Sequence, residues 1–298
     1  MRILVPLDGS ATAEAVLPQV RRLLRRTPAE LILLQVVPRF PPDFRTAFPG
    51  QNEEAGRYMR RMAFQFIHDG VPARGFARMG TPAETILEIA ESEHVSLIAM
   101  SSHGRTGLPR WVFGSVAEKV LRASPVPVLL VRSFPPPLEG AVSRGHLEAA
   151  PFRTILVPLD GSDGALGILP GLKAFARPLD AHVVLLHVFE DSPYEPTWGM
   201  PLRPLEQAQS TLVEACIPNR TEYRKGDAAL EILKVAQEEG ADLIAMATHG
   251  RSGPTRWVFG SVTEKVLRGA VTPLLVARRG WPGPEESVPA GEKSAALP

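Results

Sequence analysis

At 298 residues, 44% hydrophobic and 22% charged with a formal net charge of +1, the chain has the make-up of an ordinary globular protein of about two domains, which excludes a fibre and a disordered polymer. So small a net charge creates no field to gather nucleic acid or an anionic membrane, and no apolar run approaches the roughly 18 residues of a membrane span. A soluble chain without nucleic-acid or membrane partners is expected.

In chain order, Met1-Arg2 enters a short apolar run over 2–7 with no secretory leader, so a cytoplasmic chain is expected. That run reads as a strand. Asp8-Gly9-Ser10 turns the chain, and Val16, Leu17, Val20, Leu23 and Leu24 recur at helical spacing. Arg21, Arg22, Arg25 and Arg26 form a basic strip that reads as a solvated helix face. Pro18 falls inside the same helix and should kink it. A strand over 30–37, a loop over 39–56, a helix carrying Tyr58, Met62 and Phe66, a strand over 73–78 and a helix over 82–93 follow. Thr81, Pro82 and Glu84 supply that last helix with a cap, a first-turn proline and a back-reaching glutamate. A strand over 96–101, a glycine-containing loop over 103–113, a helix from Ser115 and a strand over 126–132 complete the unit.

The order then repeats, with strands over 154–159, 182–188, 220–225, 242–247 and 273–278, a loop over 191–204, and Pro170 in the place of Pro18. Ile3-Leu4-Val5-Pro6-Leu7-Asp8-Gly9-Ser10 recurs unchanged at 155–162, and Arg110-Trp111-Val112-Phe113-Gly114-Ser115-Val116 recurs at 256–262. A repeat unit of roughly 140 residues far exceeds those of solenoids and propellers, so each copy can own a core. Alternating strands and helices give an α/β fold: two tandem open parallel sheets of five strands with helices on both faces, for which the strand order 3-2-1-4-5 is taken as the expectation. The expected division is a first domain over 1–133, a Pro/Gly/Ala-rich linker over 134–151, a second domain over 152–279 and a disordered tail over 280–298. Cys216, the single cysteine, excludes an internal disulfide, fits a reducing compartment and reads as a buried small hydrophobe.

Open parallel sheets bind ligands at the carboxyl ends of their strands where the winding reverses. With order 3-2-1-4-5 that point lies between strands one and four, so Asp8 and Gly104 would face one crevice and Asp160 and Gly250 the other. Glycines let main-chain amides approach an anion, and a helix opening at Gly114-Ser115 or Gly260-Ser261 offers unpaired amides. The plainer alternative is structural: Ser115 with Glu118, and Ser261 with Glu264, have the spacing of capping boxes, which need no ligand. Both readings stay open at this point.

These residues resemble the universal stress protein family, whose nucleotide-binding members carry Gly-x2-Gly-x9-Gly-Ser/Thr after strand four. Gly104, the nine residues 105–113 and Gly114-Ser115 match, as do Gly250, 251–259 and Gly260-Ser261. The first glycine of the pattern is Ser101 in one copy and Ala247 in the other. The resemblance extends to Val-Pro-Leu-Asp-Gly-Ser, to Gly80-Thr81-Pro82-Ala83-Glu84, to Leu-Ile-Ala-Met before each loop and to Pro-Val-Leu-Leu-Val near the first copy's end. It implies a tandem, fused member of the nucleotide-binding type, with ATP in one crevice per copy. By the family's pattern Asp8 with main-chain Val36, and Asp160 with Val188, hold adenosine. Met100, Gly104, Gly114, Ser115, Val116 and Ala117 line the first site, and Met246, Gly250, Gly260, Ser261, Val262 and Thr263 the second. Pro6, His103 and Gly107, with Pro158, His249 and Gly253, complete the candidate set.

His103 and His249 read as loop-positioning or phosphate-contacting groups, since no nucleophile or carboxylate stands at telling spacing. No Cys/His cluster has metal-ligand spacing, so a magnesium ion would be held through the ATP phosphates and water. Thr263 offers a hydroxyl where Ala117 cannot, giving the expectation that the second site binds more tightly by up to about 1 kcal/mol.

Three functions compete. A nucleotide-dependent stress-response binding module is the leading one. A slow ATP hydrolase or phosphotransferase is opposed by the lack of a Gly-x4-Gly-Lys-Ser/Thr loop. A stress-protein scaffold without nucleotide is kept alive by Ser101 and Ala247. Single-domain relatives pair across their last strands, so 126–132 and 273–278 would pair within one chain as an internal pseudo-twofold dimer, covering an exposed edge. A further homodimer stays open.

Overall fold

A computed structural model of the chain describes residues 1–38, 50–103, 114–133, 150–189, 202–248, 259–278 and 280–282. The glycine-rich stretches 104–113 and 249–258, most of the linker and most of the two long loops lie outside the described residues. The first copy comprises β1 (Arg2–Pro6), α1 (Ala11–Glu14), α2 (Leu17–Leu24), β2 (Glu30–Val37), α3 (Gln51–His68), β3 (Ala73–Met79), α4 (Pro82–Ser92), β4 (Leu97–Ser101), α5 (Ser115–Ala123) and β5 (Val128–Val131). The second comprises β6 (Thr154–Pro158), α6 (Asp163–Leu166), α7 (Leu169–Leu179), β7 (His182–Phe189), α8 (Leu202–Glu214), β8 (Asn219–Lys225), α9 (Ala228–Glu238), β9 (Leu243–Ala247), α10 (Ser261–Gly269) and β10 (Leu274–Ala277). Among the described residues no helix is long and apolar enough to cross a membrane.

The strands form one ten-stranded sheet in the order β3-β2-β1-β4-β5-β10-β9-β6-β7-β8. Each half is parallel with the expected order 3-2-1-4-5. The halves join by an antiparallel seam that pairs Leu274 with Leu130, Leu275 with Leu129 and Val276 with Val128. Central strands are mostly apolar because helices cover both faces. Leu31 and Leu33 enter one core with Val20 and Phe66, while Ile32 and Leu34 enter the other with Ile86 and Val120. All four β2 residues are fully buried, each contributing roughly 1.5–3 kcal/mol.

Several local expectations are corrected by packing. Neither Pro18 nor Pro170 kinks a helix. The chain breaks into α1 and α2, and into α6 and α7, so each proline falls in the first turn of the second helix, where its missing N–H has no partner to lose. Residues 51–56 and 202–204, read as loop, are the first turns of α3 and α8. Thr81 caps α4 by position but makes no side-chain cap bond. Cys216 is exposed rather than buried. It ends α8 in the left-handed conformation, φ 56°, with Cys216 N–H donating to Val213 O and Ile217 N–H to Leu212 O, both at 2.9 Å. Gly70 fills the same place after α3, φ 80°. The bracketing pair Leu212 and Ile217 is what such a helix end buries.

Arg22 departs furthest from the solvated-strip reading, since it is 3% exposed. It pairs with Asp242 of the second copy at 2.5 Å, donates to Ala150 O (2.6 Å) and Gln19 Oε1 (3.1 Å), and lies over the Phe152 ring at 4.4 Å. Asp242 also accepts from the N–H groups of Arg153 (2.9 Å) and Thr154 (3.1 Å). A charge this deep is tolerable only when its donors are matched. Past β10, the described residues 280–282 stay on the second copy. Trp281 is buried against α7 with its ring 6.2 Å from that of Phe175, and a Cβ on Gly171 would stand 2.0 Å from it.

Candidate functional site: paired crevices at the strand reversal

Each crevice begins with a parting of strands. β1 pairs with β4 only at Ile3–Leu97 and Leu4–Ile98, whereas the β1–β2 ladder runs on to Pro6–Leu34 and the β4–β5 ladder to Ser101–Val131. The second copy repeats this. β6 meets β9 only at Ile155–Leu243 and Leu156–Ile244, while the β6–β7 and β10–β9 ladders continue to Pro158–Leu186 and Ala277–Ala247. Pro6 and Pro158, which have no N–H to extend a ladder, stand at the ends of the parted strands.

The Asp-Gly-Ser turn is built alike on both sides. Gly9 and Gly161 take φ 81° and 79°, bringing Ser10 and Ser162 back onto the aspartate. Asp8 Oδ1 accepts from the N–H (2.9 Å) and hydroxyl (2.6 Å) of Ser10, whose own oxygen accepts from Ala13 N–H at 3.1 Å. Asp160, Ser162 and Ala165 give 2.9, 2.6 and 3.2 Å. Part of each aspartate's role is thus local, since it orients the serine that caps α1 or α6.

Across the crevice, the capping-box reading of Ser115 and Ser261 fails. The N-caps are Gly114 and Gly260, neither helix has a side-chain cap bond, and both serines are the first helical residues. The glutamates point the other way along the helix: Glu118 pairs with Arg122 and Glu264 with Arg268, at 2.8 and 2.7 Å. Gly114 N–H donates to Ser102 O (3.0 Å) and Gly260 N–H to Thr248 O (3.1 Å). A Cβ on Gly114 would come within 3.2 Å of Ser102 O, whereas one on Gly260 would have 3.8 Å. Both helices therefore present first-turn amides without a side-chain cap, the arrangement that suits an anion.

Of the other candidates, Met100 and Met246 are buried on the floor in the second core. Val36, Val188, Val116 and Val262 are partly buried against it, and Ala117 is fully inside. His103 Nδ1 lies 3.0 Å from Ser102 Oγ. Gly104, Gly107, His249, Gly250 and Gly253 lie outside the described residues. The Thr263 hydroxyl is buried and donates to Ala247 O at 3.2 Å, so its proton holds the helix to β9. Ser101 is not a bare substitute for glycine either. Its hydroxyl lies within donating distance of Thr12 O (2.8 Å) and His103 O (2.9 Å) and contacts Ser133.

Sequence reading passed over a pair on the second strand. Gln35 Nε2 donates to Asp8 O at 3.4 Å while its Oε1 is buried without a partner among the described residues. His187 in the equivalent place uses Nδ1 on Leu159 O at 2.8 Å, with its ring edge-on to Phe189 at 4.7 Å. The signal available was a polar residue interrupting each apolar strand. Among the described residues no cluster of His, Cys, Asp or Glu has the arrangement of a metal site.

Residues 1–132 and 151–278 each match the Universal stress protein family. The chain belongs to the universal stress protein family. A universal stress protein of Methanocaldococcus jannaschii is 33% identical over 141 residues, covering 43% of this chain and 83% of that one. One from Mycobacterium tuberculosis aligns over 298 residues at 24% identity, covering 93% of this chain and 97% of the relative. The crystal structure of a universal stress protein from Archaeoglobus fulgidus superposes with a TM-score of 0.72 at 23% identity, covering 94% of this chain and 98% of that one. At that identity the likeness speaks for the fold alone. The universal stress protein domains are thus present twice, as the repeats require.

Proposed function

We propose that this tandem universal stress protein binds an adenine nucleotide, ATP, in the crevice of each copy, and acts as a nucleotide-dependent regulatory module rather than as an enzyme. The observation that carries the reading is the duplicated parting of β1 from β4 and of β6 from β9, each facing a glycine-capped helix start with no side-chain cap. An anion meets first-turn amides there, and Asp8 or Asp160 stands on the opposite wall to take the sugar hydroxyls. Gln35 Oε1, buried without a partner among the described residues, is an acceptor that a bound ligand or its water would satisfy. A magnesium ion would be held through the phosphates. The family matches over 1–132 and 151–278 support dividing the chain into domains over 1–133 and 152–279, and the β5–β10 seam supports reading the fusion as an internal pair whose union does not depend on concentration. An exposed, unpaired Cys216 fits a reducing cytoplasm.

Calorimetric titration of nucleotide-stripped protein with Mg-ATP tests this. Two sites per chain are expected, without turnover that rises with protein concentration. No binding at millimolar ATP would overturn the assignment and leave a scaffold.

A further inference from the structure

The start of α10, where the second crevice would hold an anion, packs on the second core through Phe259 and Val262 and is tied by three further contacts. Two are its own copy's: Gly260 N–H on Thr248 O and Thr263 Oγ1 on Ala247 O. The third comes from the first copy. The Arg122 guanidinium, near the end of α5, lies over the ring of Phe259, the residue immediately before the Gly260 cap, with its central carbon 5.2 Å from the ring centroid. We propose that Arg122 is a positioning residue for the second copy's site, so that the first copy's last helix sets the geometry of the second copy's anion cradle.

Arg122 is held at both ends. Glu118, one turn earlier, accepts from its Nε (3.1 Å) and Nη2 (2.8 Å), which fixes the plane of the guanidinium. Its main-chain oxygen accepts from Arg278 Nη2 of the second copy at 2.7 Å. The reverse contact exists too, with Arg132 Nη1 donating to Ala270 O at 3.2 Å at the end of α10. Each copy thus places an arginine on the last carbonyls of the other's final helix, where a cation complements the helix dipole. Arg122 alone among these is shown to touch the residue that leads into the other copy's helix start. A planar cation on an aromatic face is directional, so loss of Arg122 leaves Phe259 held by its packing on the second core alone and loosens the turn that presents Ser261, Val262 and Thr263.

The ligand consequence rests on the nucleotide reading above, but the positioning has a ligand-free readout. Hydrogen exchange on the stripped full chain would compare wild type, Arg122→Ala and Arg122→Lys, which keeps the charge without the plane. In Arg122→Ala the amides of Gly260 and Glu264, the first hydrogen-bonded ones of α10, should exchange about three- to tenfold faster, the range such a contact converts to. Gly114 should be unchanged and the lysine variant should fall between. In Mg-ATP titrations one site should weaken by the same factor and the other by less than about twofold. Unchanged exchange at Gly260 and Glu264 overturns the proposal whether or not nucleotide binds, as does equal weakening of both sites. Faster exchange in a chain whose wild type binds no Mg-ATP upholds the positioning and overturns the nucleotide reading.

Discussion

The two copies secure the same crevice from opposite walls. In the first, the hydroxyl is on β4, where Ser101 reaches Thr12 O and His103 O, and the facing helix carries Ala117. In the second, β9 carries Ala247 and the hydroxyl is on the helix, where Thr263 reaches Ala247 O. One hydroxyl per crevice is kept, but its place is exchanged. The lesson is that a departure from a family's glycine pattern is best read with the residue facing it. Ser101 looked like damage to a glycine loop only while its partners were out of sight.

The outer layers of the copies differ more. α3 lies so close on β3 that a Cβ at Gly75 would come within 2.1 Å of Met59 O, whereas the same register position of β8 is Thr221. On the inner side, α2 presents Arg22 to Asp242 across the copies, while α7 presents Gly171 and Phe175 to Trp281 of its own copy.

The largest test of this asymmetry is Arg22→Ala. It leaves Asp242 buried opposite a lost cation and should destabilise the chain by about 3–5 kcal/mol, read as a lowered midpoint in urea unfolding; a change below about 1 kcal/mol would mean that the pair is not a joint between copies. Exchanging the edge residues comes next. Gly75→Thr forces α3 away from β3 and should cost about 1–3 kcal/mol or more, while Thr221→Gly should cost only about 0.5–1 kcal/mol from backbone entropy. Equal costs would erase the difference in helix height. Thr263→Ala and Ser101→Ala each remove one crevice hydroxyl, and each should lower thermal stability by about 0.5–1.5 kcal/mol. An effect confined to one copy would show that only that tie matters.

The smallest expected effect is on pH dependence. Hydrogen bonds from Arg74 hold Glu93 below the ordinary carboxylate range, and Arg220 does the same for Glu239 in the second copy. Glu30, which partial burial would raise, is brought below that range by Arg74 and Arg2. Groups with lowered folded values contribute stability above their unfolded value of about 4.3, and lose it as pH falls from there through the folded value. These side chains are partly exposed, so each pair should contribute under about 1 kcal/mol. Arg74→Gln should be less stable than wild type at neutral pH, with the gap closing below about pH 4. A gap that persisted in acid would point to lost packing of Arg74 instead, since it also lies 5.8 Å from the Phe76 ring.

The readings that failed share a physical cause. Ser115 and Glu118 have capping-box spacing, but the chain enters α5 through an extended Gly114, which moves the serine inside the helix and hands the glutamate to Arg122. Arg22 has the pattern of a surface residue because, apart from Gln19 on its own helix, its acceptors include a carbonyl at position 150 and a carboxylate at position 242, neither within helical reach. Trp281 stood in a stretch with tail-like composition, and only the notch at Gly171 gives it a place.

The sequence by itself determined the repeat, the alternation of strands and helices and the two turns that flank the crevice. Those follow from local propensity, from period and from identity between copies. Only the tertiary structure decided that β1 and β4 part after two residue pairs, that the hydroxyls of Ser101 and Thr263 serve their own copy's carbonyls, and that Arg22 and Arg122 of the first copy hold parts of the second. These depend on which distant groups share a face once the sheet has closed, and hydrogen bonds between such groups leave no periodic trace along the chain.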